Sequence, residues 1–72
     1  MINKEKLGRR LKQIRQQLNM TADEVAQFTG CSKMTILAYE RGTRCPKIDR
    51  MKSLAQLYNM DVEELFFSED ED

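Results

Sequence analysis

Two consecutive helix signals between residues 21 and 32 constrain the fold of this chain more than any other feature. Thr21 and Glu24 form a capping-box sequence, in which a threonine hydroxyl and a glutamate carboxylate accept from free backbone N–H groups at a helix start. Gly30 is placed to end that helix, because glycine adopts left-handed backbone conformations at little cost. Ser32 is placed to cap a second helix with its hydroxyl. The stretch predicts two short helices joined by a tight turn, at residues 22–29 and 33–41.

The predicted pair of helices has one face that packs inward and one that is free. Ala26 is small enough for a close helix crossing, and Ile36 and Tyr39 are spaced to point back at the first helix of the pair. This pattern is typical of a helix-turn-helix, whose second helix is presented to the major groove of DNA. Four residues of that second helix lie opposite Ile36 and are predicted to face a partner: Met34, Leu37, Ala38 and Arg41.

Two longer helices are predicted on either side of this pair. The first, over residues 4–18, carries an apolar stripe with helical spacing that consists of Leu7, Leu11, Ile14 and Leu18. Gly8 lies inside this helix and either marks a close approach or only weakens the helix, by about 1 kcal/mol relative to alanine. Pro46 precedes the other helix. The apolar side of that helix consists of Ile48, Met51, Leu54, Ala55 and Tyr58.

The end of the chain predicts a short fifth helix and a tail. Asp61 and Glu64 have the capping-box spacing at the start of this helix. Three of its residues are predicted to close the core: Val62, Leu65 and Phe66. With few β-branched residues and few aromatic ones, the chain favours helix over sheet. We therefore expect one all-α domain, residues 1–67, followed by an acidic flexible tail, residues 68–72.

Charge is strongly segregated along the chain, although 12 basic and 12 acidic residues cancel in total. Residues 1–52 carry all twelve basic residues and five acidic ones, whereas residues 53–72 carry seven acidic residues and none that is basic. A basic region that coincides with a helix-turn-helix indicates a nucleic-acid partner. The alternative is that these charges only solvate exposed helix faces. The acidic tail is either a solubility segment or a cover for the basic surface.

Several function classes are excluded by what the sequence lacks. It contains no histidine, no glycine-rich phosphate loop and only two cysteines, too few for a four-ligand zinc site. We therefore expect no metal, no cofactor and no enzymatic activity. No apolar run approaches the roughly 20 residues of a membrane span, and no signal peptide is evident, so an intracellular, cytoplasmic protein is expected. Cys31 is predicted to be a small buried apolar residue, and Cys45, beside Arg44, is the better candidate for a reactive thiol.

Five segments of the chain carry a family resemblance: LGRRLKQIR (7–15), MTADEVA (20–26), GCSKMTI (30–36), YERGTRCP (39–46) and NMDVEELF (59–66). In order and spacing they resemble the Cro and phage-repressor family of helix-turn-helix proteins, the Xre-type regulators. The resemblance extends without gaps from Leu7 to Phe66. It implies a compact five-helix domain of the lambda-repressor type, which binds double-stranded operator DNA, usually as a symmetric homodimer.

The resemblance also implies roles for individual residues. Base edges would be contacted by Ser32, Lys33, Met34, Leu37 and Ala38. Phosphates would be contacted by Thr21, Arg41, Thr43 and Arg44. A structural ion pair between the first and third helices would consist of Arg15 and Glu40. Apart from the resemblance, the doubled contact area of two half-sites favours a dimer, whose interface is predicted on the side away from the third helix and consists of Met60, Val62, Phe66 and Phe67. Phe67 follows the core position Phe66, so it either points outward as the best interface candidate or folds back on the domain.

The sequence departs from the family at positions that bear on function. Ala22 stands where the family has a glutamine that touches phosphate, so that contact is lost. Phe28 stands at a position that is usually polar and Thr29 at one that is usually apolar. Either the two residues have exchanged roles or Phe28 is an exposed contact. The predicted contact face is also apolar, so we expect it to pack on thymine methyl groups in A·T-rich sites, with Lys33 as the main polar contact.

Two functions from different classes follow from these features. The first is a sequence-specific DNA-binding transcriptional regulator, a repressor that binds a palindromic operator as a dimer through its third helix. The alternative is a protein-interaction module of the same fold, such as an antitoxin that binds a regulatory partner protein through its apolar face. Segregated charge favours the first function, and the apolar face keeps the second open.

Overall fold

The computed structural model describes residues 3–67, and these residues contain five helices and no strand. The helices are α1 (Lys4–Gln17), α2 (Ala22–Thr29), α3 (Lys33–Arg41), α4 (Ile48–Leu57) and α5 (Glu63–Phe67). The predicted all-α, five-helix fold is confirmed. The predicted acidic tail, residues 68–72, lies outside the described residues. Within them, no helix combines the length and the apolar character that crossing a membrane requires.

The predicted caps of the central helix pair are confirmed. The Thr21 N–H donates to Glu24 over 2.8 Å, and the Glu24 N–H donates to the Thr21 hydroxyl over 3.1 Å. Gly30 ends α2 in the left-handed region with φ 75°. The Ser32 hydroxyl accepts from the Thr35 N–H over 3.1 Å at the start of α3. These local contacts explain why the predicted bounds of both helices agree with the structure.

The core is formed by apolar side chains from all five helices and from the segment between α4 and α5. Val25, Leu54 and Leu65 are the largest fully buried side chains. Two residues of the predicted apolar stripes are instead exposed, Leu18 by 49% and Ile48 by 53%. Leu18 is the non-helical C-cap of α1. Ile48 begins α4, and a side chain on the first helical turn points back beyond the helix end, away from the core.

Gly8 marks a close approach between α1 and α3. A Cβ atom at this position would lie 2.5 Å from the carbonyl oxygen of Glu40 and 2.6 Å from that of Tyr39. Gly42, which ends α3 with φ 83°, is similarly close to the backbone of Glu5. Glycine at position 8 therefore allows the two backbones to touch, which resolves the two interpretations of this residue in favour of close packing.

Two arginines hold helix ends through backbone carbonyl groups. Arg10 on α1 donates from Nη1 to the carbonyl oxygen of Leu65 over 2.9 Å, so that α5 is attached to α1. Arg50 on α4 donates to the carbonyl oxygen of Thr29, the last residue of α2. Charged donors make stronger hydrogen bonds than neutral ones. Both arginines therefore tie the ends of short helices to longer ones.

The last helix differs in detail from its prediction. Residues Glu63–Phe67 form a single π-helical turn rather than an α-helix. At its start, the Asp61 N–H donates to the Glu64 carboxylate over 3.4 Å, a long bond that corresponds to one half of a capping box. Leu65 and Phe66 are buried and Val62 is half-buried against the core, so the predicted closure of the core is confirmed.

Candidate nucleic-acid interface

α3 is held by one face and exposed on another. Ile36 and Tyr39 are buried and anchor the helix in the core. In its first turn, Lys33 is exposed, and Met34, which lies opposite Ile36 around the helix, is 68% exposed. α3 has only nine residues, and three of them are buried, so few of its side chains are available to a partner. The outer surface of its first turn is therefore dominated by Lys33 and Met34.

Leu37 and Ala38 are less available than predicted, which corrects the expectation of a fully free face. Both are half-buried, and Leu37 packs against the core cluster. The reason is that Leu37 directly follows Ile36, so it lies at the edge of the buried face rather than opposite it. Of the four residues of the predicted face, Met34 and Arg41 are therefore the two that are exposed.

The hydroxyl groups at the start of α3 are engaged with each other. Besides accepting from the Thr35 N–H, the Ser32 hydroxyl lies 3.0 Å from the Thr35 hydroxyl. The side chain of Thr35 was not among the predicted site residues. Its position, three residues after a serine N-cap, is the sequence signal that would have found it. Ser32 is exposed, but its hydroxyl serves the cap.

The four residues predicted to contact phosphates are all exposed: Thr21, Arg41, Thr43 and Arg44. The Thr43 hydroxyl donates to the carbonyl oxygen of Ala38 over 3.2 Å, which holds the loop after α3 against the helix end. The Arg44 guanidinium lies 6.0 Å from the centre of the Tyr39 ring, at the outer limit of a cation–π contact. The end of α3 and the loop after it thus carry exposed positive charge.

The only acidic residue of α3 is neutralised inside the domain. Glu40 is buried, and both of its carboxylate oxygens accept from the Arg15 guanidinium, over 2.7 Å and 2.9 Å. Arg15 also donates to the carbonyl oxygen of Met20 over 2.9 Å. The hydrogen bond to Glu40 raises the pKa of Arg15 above its ordinary value. The predicted partners therefore lie together, and Glu40 does not oppose an approaching polyanion.

Tyr58 lies near this pair and is buried at the end of α4. Burial, with a smaller contribution from the Glu40 charge, raises the pKa of Tyr58 to about 12. Removing the phenol proton would place a further negative charge in a poorly solvated position. Tyr58 is therefore neutral in the folded protein over the physiological pH range.

We expect the free energy of unfolding to fall as the pH rises from 10 to 12. The unfolded chain loses the Tyr58 proton near pH 10, whereas the folded protein keeps it up to a pKa of about 12. This contribution is complete below pH 10 and is lost through pH 12, about 2 to 3 kcal/mol in all. Urea denaturation at several pH values measures the slope. Tyr58→Phe should flatten it, and an equal slope in that variant would contradict the assignment.

Phe28 and Thr29 show how the sequence departs from its family without losing the core. The Phe28 side chain is 72% exposed, whereas Thr29 is buried. The Thr29 hydroxyl donates to the carbonyl oxygen of Val25 over 2.9 Å and lies 3.3 Å from the Cys31 sulfur, so its polar group is satisfied inside. Of the alternatives, the structure favours an exposed Phe28.

The two cysteines, Cys31 and Cys45, are both half-buried and pack against the core.

The predicted dimer surface is only partly available. Phe67 is 49% exposed, while Met60 and Val62 are half-buried against the core. Phe66, in contrast, is only 4% exposed, because it is one of the residues through which α5 closes the core. This corrects its assignment as an interface residue. Of the four predicted interface residues, Phe67 is the one that is exposed.

Within residues 3–67, no three or more cysteine or acidic side chains are grouped so that they could hold a metal ion.

The domain is similar to known helix-turn-helix proteins. The sequence profile of the helix-turn-helix family matches residues 11–65 of the chain. This match includes both helices of the central pair and most of the core.

Relatives and solved structures agree with this match. The chain is 36% identical over 56 residues to the cryptic phage CTXphi transcriptional repressor RstR of Vibrio cholerae, covering 78% of this chain and 50% of RstR. It thus spans half the length of that relative. The restriction-modification controller protein C.AhdI of Aeromonas hydrophila is 25% identical with a TM-score of 0.82, covering 89% of this chain and 93% of C.AhdI.

The P22 c2 repressor, solved with a synthetic operator, has the same fold, with a TM-score of 0.79 at 20% identity. That likeness covers 82% of this chain and 89% of the repressor. The profile match, the identity to a phage repressor and the five-helix architecture lead to one conclusion. The chain belongs to the Xre-type helix-turn-helix family of DNA-binding transcriptional regulators, the family of the Cro and phage repressors.

Proposed function

We propose that this protein is a sequence-specific repressor that binds a palindromic operator as a homodimer, with α3 in the major groove. The observation that carries the proposal is the exposure of Lys33 and Met34 at the start of α3, together with that of two arginines, Arg41 at its end and Arg44 in the following loop. The one carboxylate of α3 is paired internally with Arg15. Such a surface attracts the DNA backbone and presents side chains to base edges. The family membership supports the same assignment, with action in the cytoplasm.

Dimerisation is proposed on energetic grounds. One small domain buries little DNA surface, and two half-sites one helical turn apart would roughly double the contacts. The exposed Phe67, together with the half-buried Met60 and Val62, is the proposed apolar contact between subunits.

The N-terminus of α3 also favours a nearby phosphate, because free backbone N–H groups at a helix start attract anions.

Selection from a pool of random duplex DNA, followed by sequencing, tests this function. We expect an enriched palindromic site whose affinity falls steeply with salt, because lysine and arginine contacts release condensed counterions. Sedimentation of the complex measures the number of chains per site. Salt-sensitive binding without any enriched sequence would contradict sequence-specific recognition.

Arg44→Ala is expected to weaken binding to all duplexes alike. Each lost phosphate contact should lower the slope of log affinity against log salt by about one unit, or about two units for a dimer. Titrations of the selected site at four salt concentrations measure this slope. Lys12→Ala, on an exposed position of α1, is the matched control that removes the same charge. An equal effect of both variants would assign the loss to net charge rather than to contact.

One observation favours the alternative, a protein-interaction module. Phe28 is 72% exposed on α2, and an exposed aromatic ring is a typical anchor of protein–protein interfaces. A double variant, Lys33→Ala with Arg44→Ala, separates the two functions. It should abolish DNA binding if the protein is a repressor, and should matter little for a partner that docks on Phe28.

A further inference from the structure

We propose that α3 distinguishes thymine from the other bases by its C5-methyl group, and that Met34 is the residue that contacts this methyl. The proposal rests on the proposed placement of α3 in the major groove and specifies what the helix recognises there. The argument combines the exposure of one apolar side chain with the engagement of the polar side chains next to it.

The polar groups of the first turn are poorly suited to distinguish bases. Specific hydrogen bonding in the major groove commonly uses paired donors or acceptors, as arginine provides to guanine and asparagine or glutamine to adenine. α3 contains none of these residues except Arg41, at its far end. The hydroxyls of Ser32 and Thr35 are 3.0 Å apart and serve the cap. Lys33 supplies a single charged group without a fixed fork.

Met34 has the opposite properties. It lies in the first turn, the part of a recognition helix that contacts base edges, and it is 68% exposed. Its thioether is flexible and polarisable, so it adapts to an apolar group of any local shape. The thymine methyl is the main apolar group on the floor of the major groove. Contact between the two removes apolar surface from water on both sides.

A chemical consequence distinguishes this mode from hydrogen-bond recognition. Deoxyuridine pairs as thymidine does and keeps the same hydrogen-bonding edge, but it lacks the methyl group. 5-Methylcytosine carries a methyl at the same ring position on a G·C pair. A protein that recognises the methyl group should therefore discriminate against deoxyuridine and bind a site better when a cytosine at the contacted position is methylated.

The test uses the site selected from random DNA, with each thymine replaced in turn by deoxyuridine. We expect about a fourfold loss of affinity where one methyl is contacted, and about fifteenfold when both half-sites are changed, from the free energy of burying one methyl-sized group. The same titrations are made with Met34→Ala, in which the preference for thymine should disappear. Alanine favours helix, so α3 should persist, and circular dichroism verifies this.

Leu18→Ala is the matched control, because it truncates an apolar side chain that is 49% exposed at the end of α1. This variant should keep the full preference for thymine. Two results would overturn the proposal while leaving the proposed function intact. They are equal affinity for thymine and deoxyuridine at every position, and a deoxyuridine penalty that persists undiminished in Met34→Ala. Absence of sequence-specific binding to any duplex would overturn both.

Discussion

Replacing Gly8 with alanine is expected to destabilise the domain by about 3 kcal/mol, the range of overpacked cores. In an exposed helix the same substitution stabilises by about 1 kcal/mol, so the expected sign is reversed. The new Cβ would lie 2.5 Å and 2.6 Å from the carbonyl oxygens of Glu40 and Tyr39. Backbone atoms cannot rotate away as side chains can. α1 and α3 must therefore separate, which opens the core between them.

Urea denaturation followed by circular dichroism measures this loss. Gly30→Ala is the matched control, because the nearest heavy atom to its Cβ would be 3.9 Å away and the only strain is the left-handed φ of 75°. That strain costs about 1 to 2 kcal/mol. If Gly8→Ala were as stable as the unchanged protein, the two helices would have room to spare, contrary to the structure. DNA affinity should fall with Gly8→Ala as α3 shifts.

Arg15→Met is expected to destabilise the domain by about 3 kcal/mol, because it leaves the Glu40 carboxylate buried and uncompensated. The side chains of the pair are 13% and 4% exposed, and the carboxylate loses two charge-assisted hydrogen bonds at once. Methionine keeps the apolar stem of arginine, so lost packing contributes little. The carbonyl oxygen of Met20 also loses its donor.

A double-mutant cycle separates the charge effect from packing. Adding Glu40→Leu to Arg15→Met should recover part of the lost stability, because the buried charge is gone. The control is Glu63→Leu added to Arg15→Met, since Glu63 is an exposed acidic residue on α5 and its removal should recover nothing. If the two double variants were equally stable, burial of the Glu40 charge would not be the source of the loss.

Helix bounds that depend on local signals could be predicted from the sequence. The ends of α2 and α3 agree because Thr21, Gly30 and Ser32 act on their own backbone neighbourhood. Leu18 and Ile48 fit the apolar spacing of their helices, so the sequence wrongly predicted that both would face the core. Both lie at helix ends, where burial depends on what packs beyond the helix. The π-helical turn of α5 has no periodic signature in five residues.

The residues of the candidate site also divide into those whose exposure could be predicted from the sequence and those whose exposure depends on packing. Charge and position predicted that Lys33, Met34, Arg41 and Arg44 would be exposed. Leu37 follows Ile36 by one residue, about 100° around the helix, so helix geometry alone places it at the edge of the buried face. The half-burial of Ala38, which lies opposite Ile36, depends instead on what packs near α3, which its own sequence does not encode. The bonds of Arg10 and Arg50 to distant carbonyl groups also have no local pattern, because any surface arginine within reach could make them.

The bond from Arg50 to the last carbonyl of α2 has a consequence for how the protein meets its target. With that carbonyl occupied, Gly30 in place and Ser32 capping α3, the turn is complete in the isolated domain. Docking such a preformed element requires no coupled folding, so little conformational entropy is lost in the encounter. For the proposed DNA complex, we therefore expect an association rate governed by diffusion and electrostatic steering, and a lifetime set by the contacts that α3 is proposed to make.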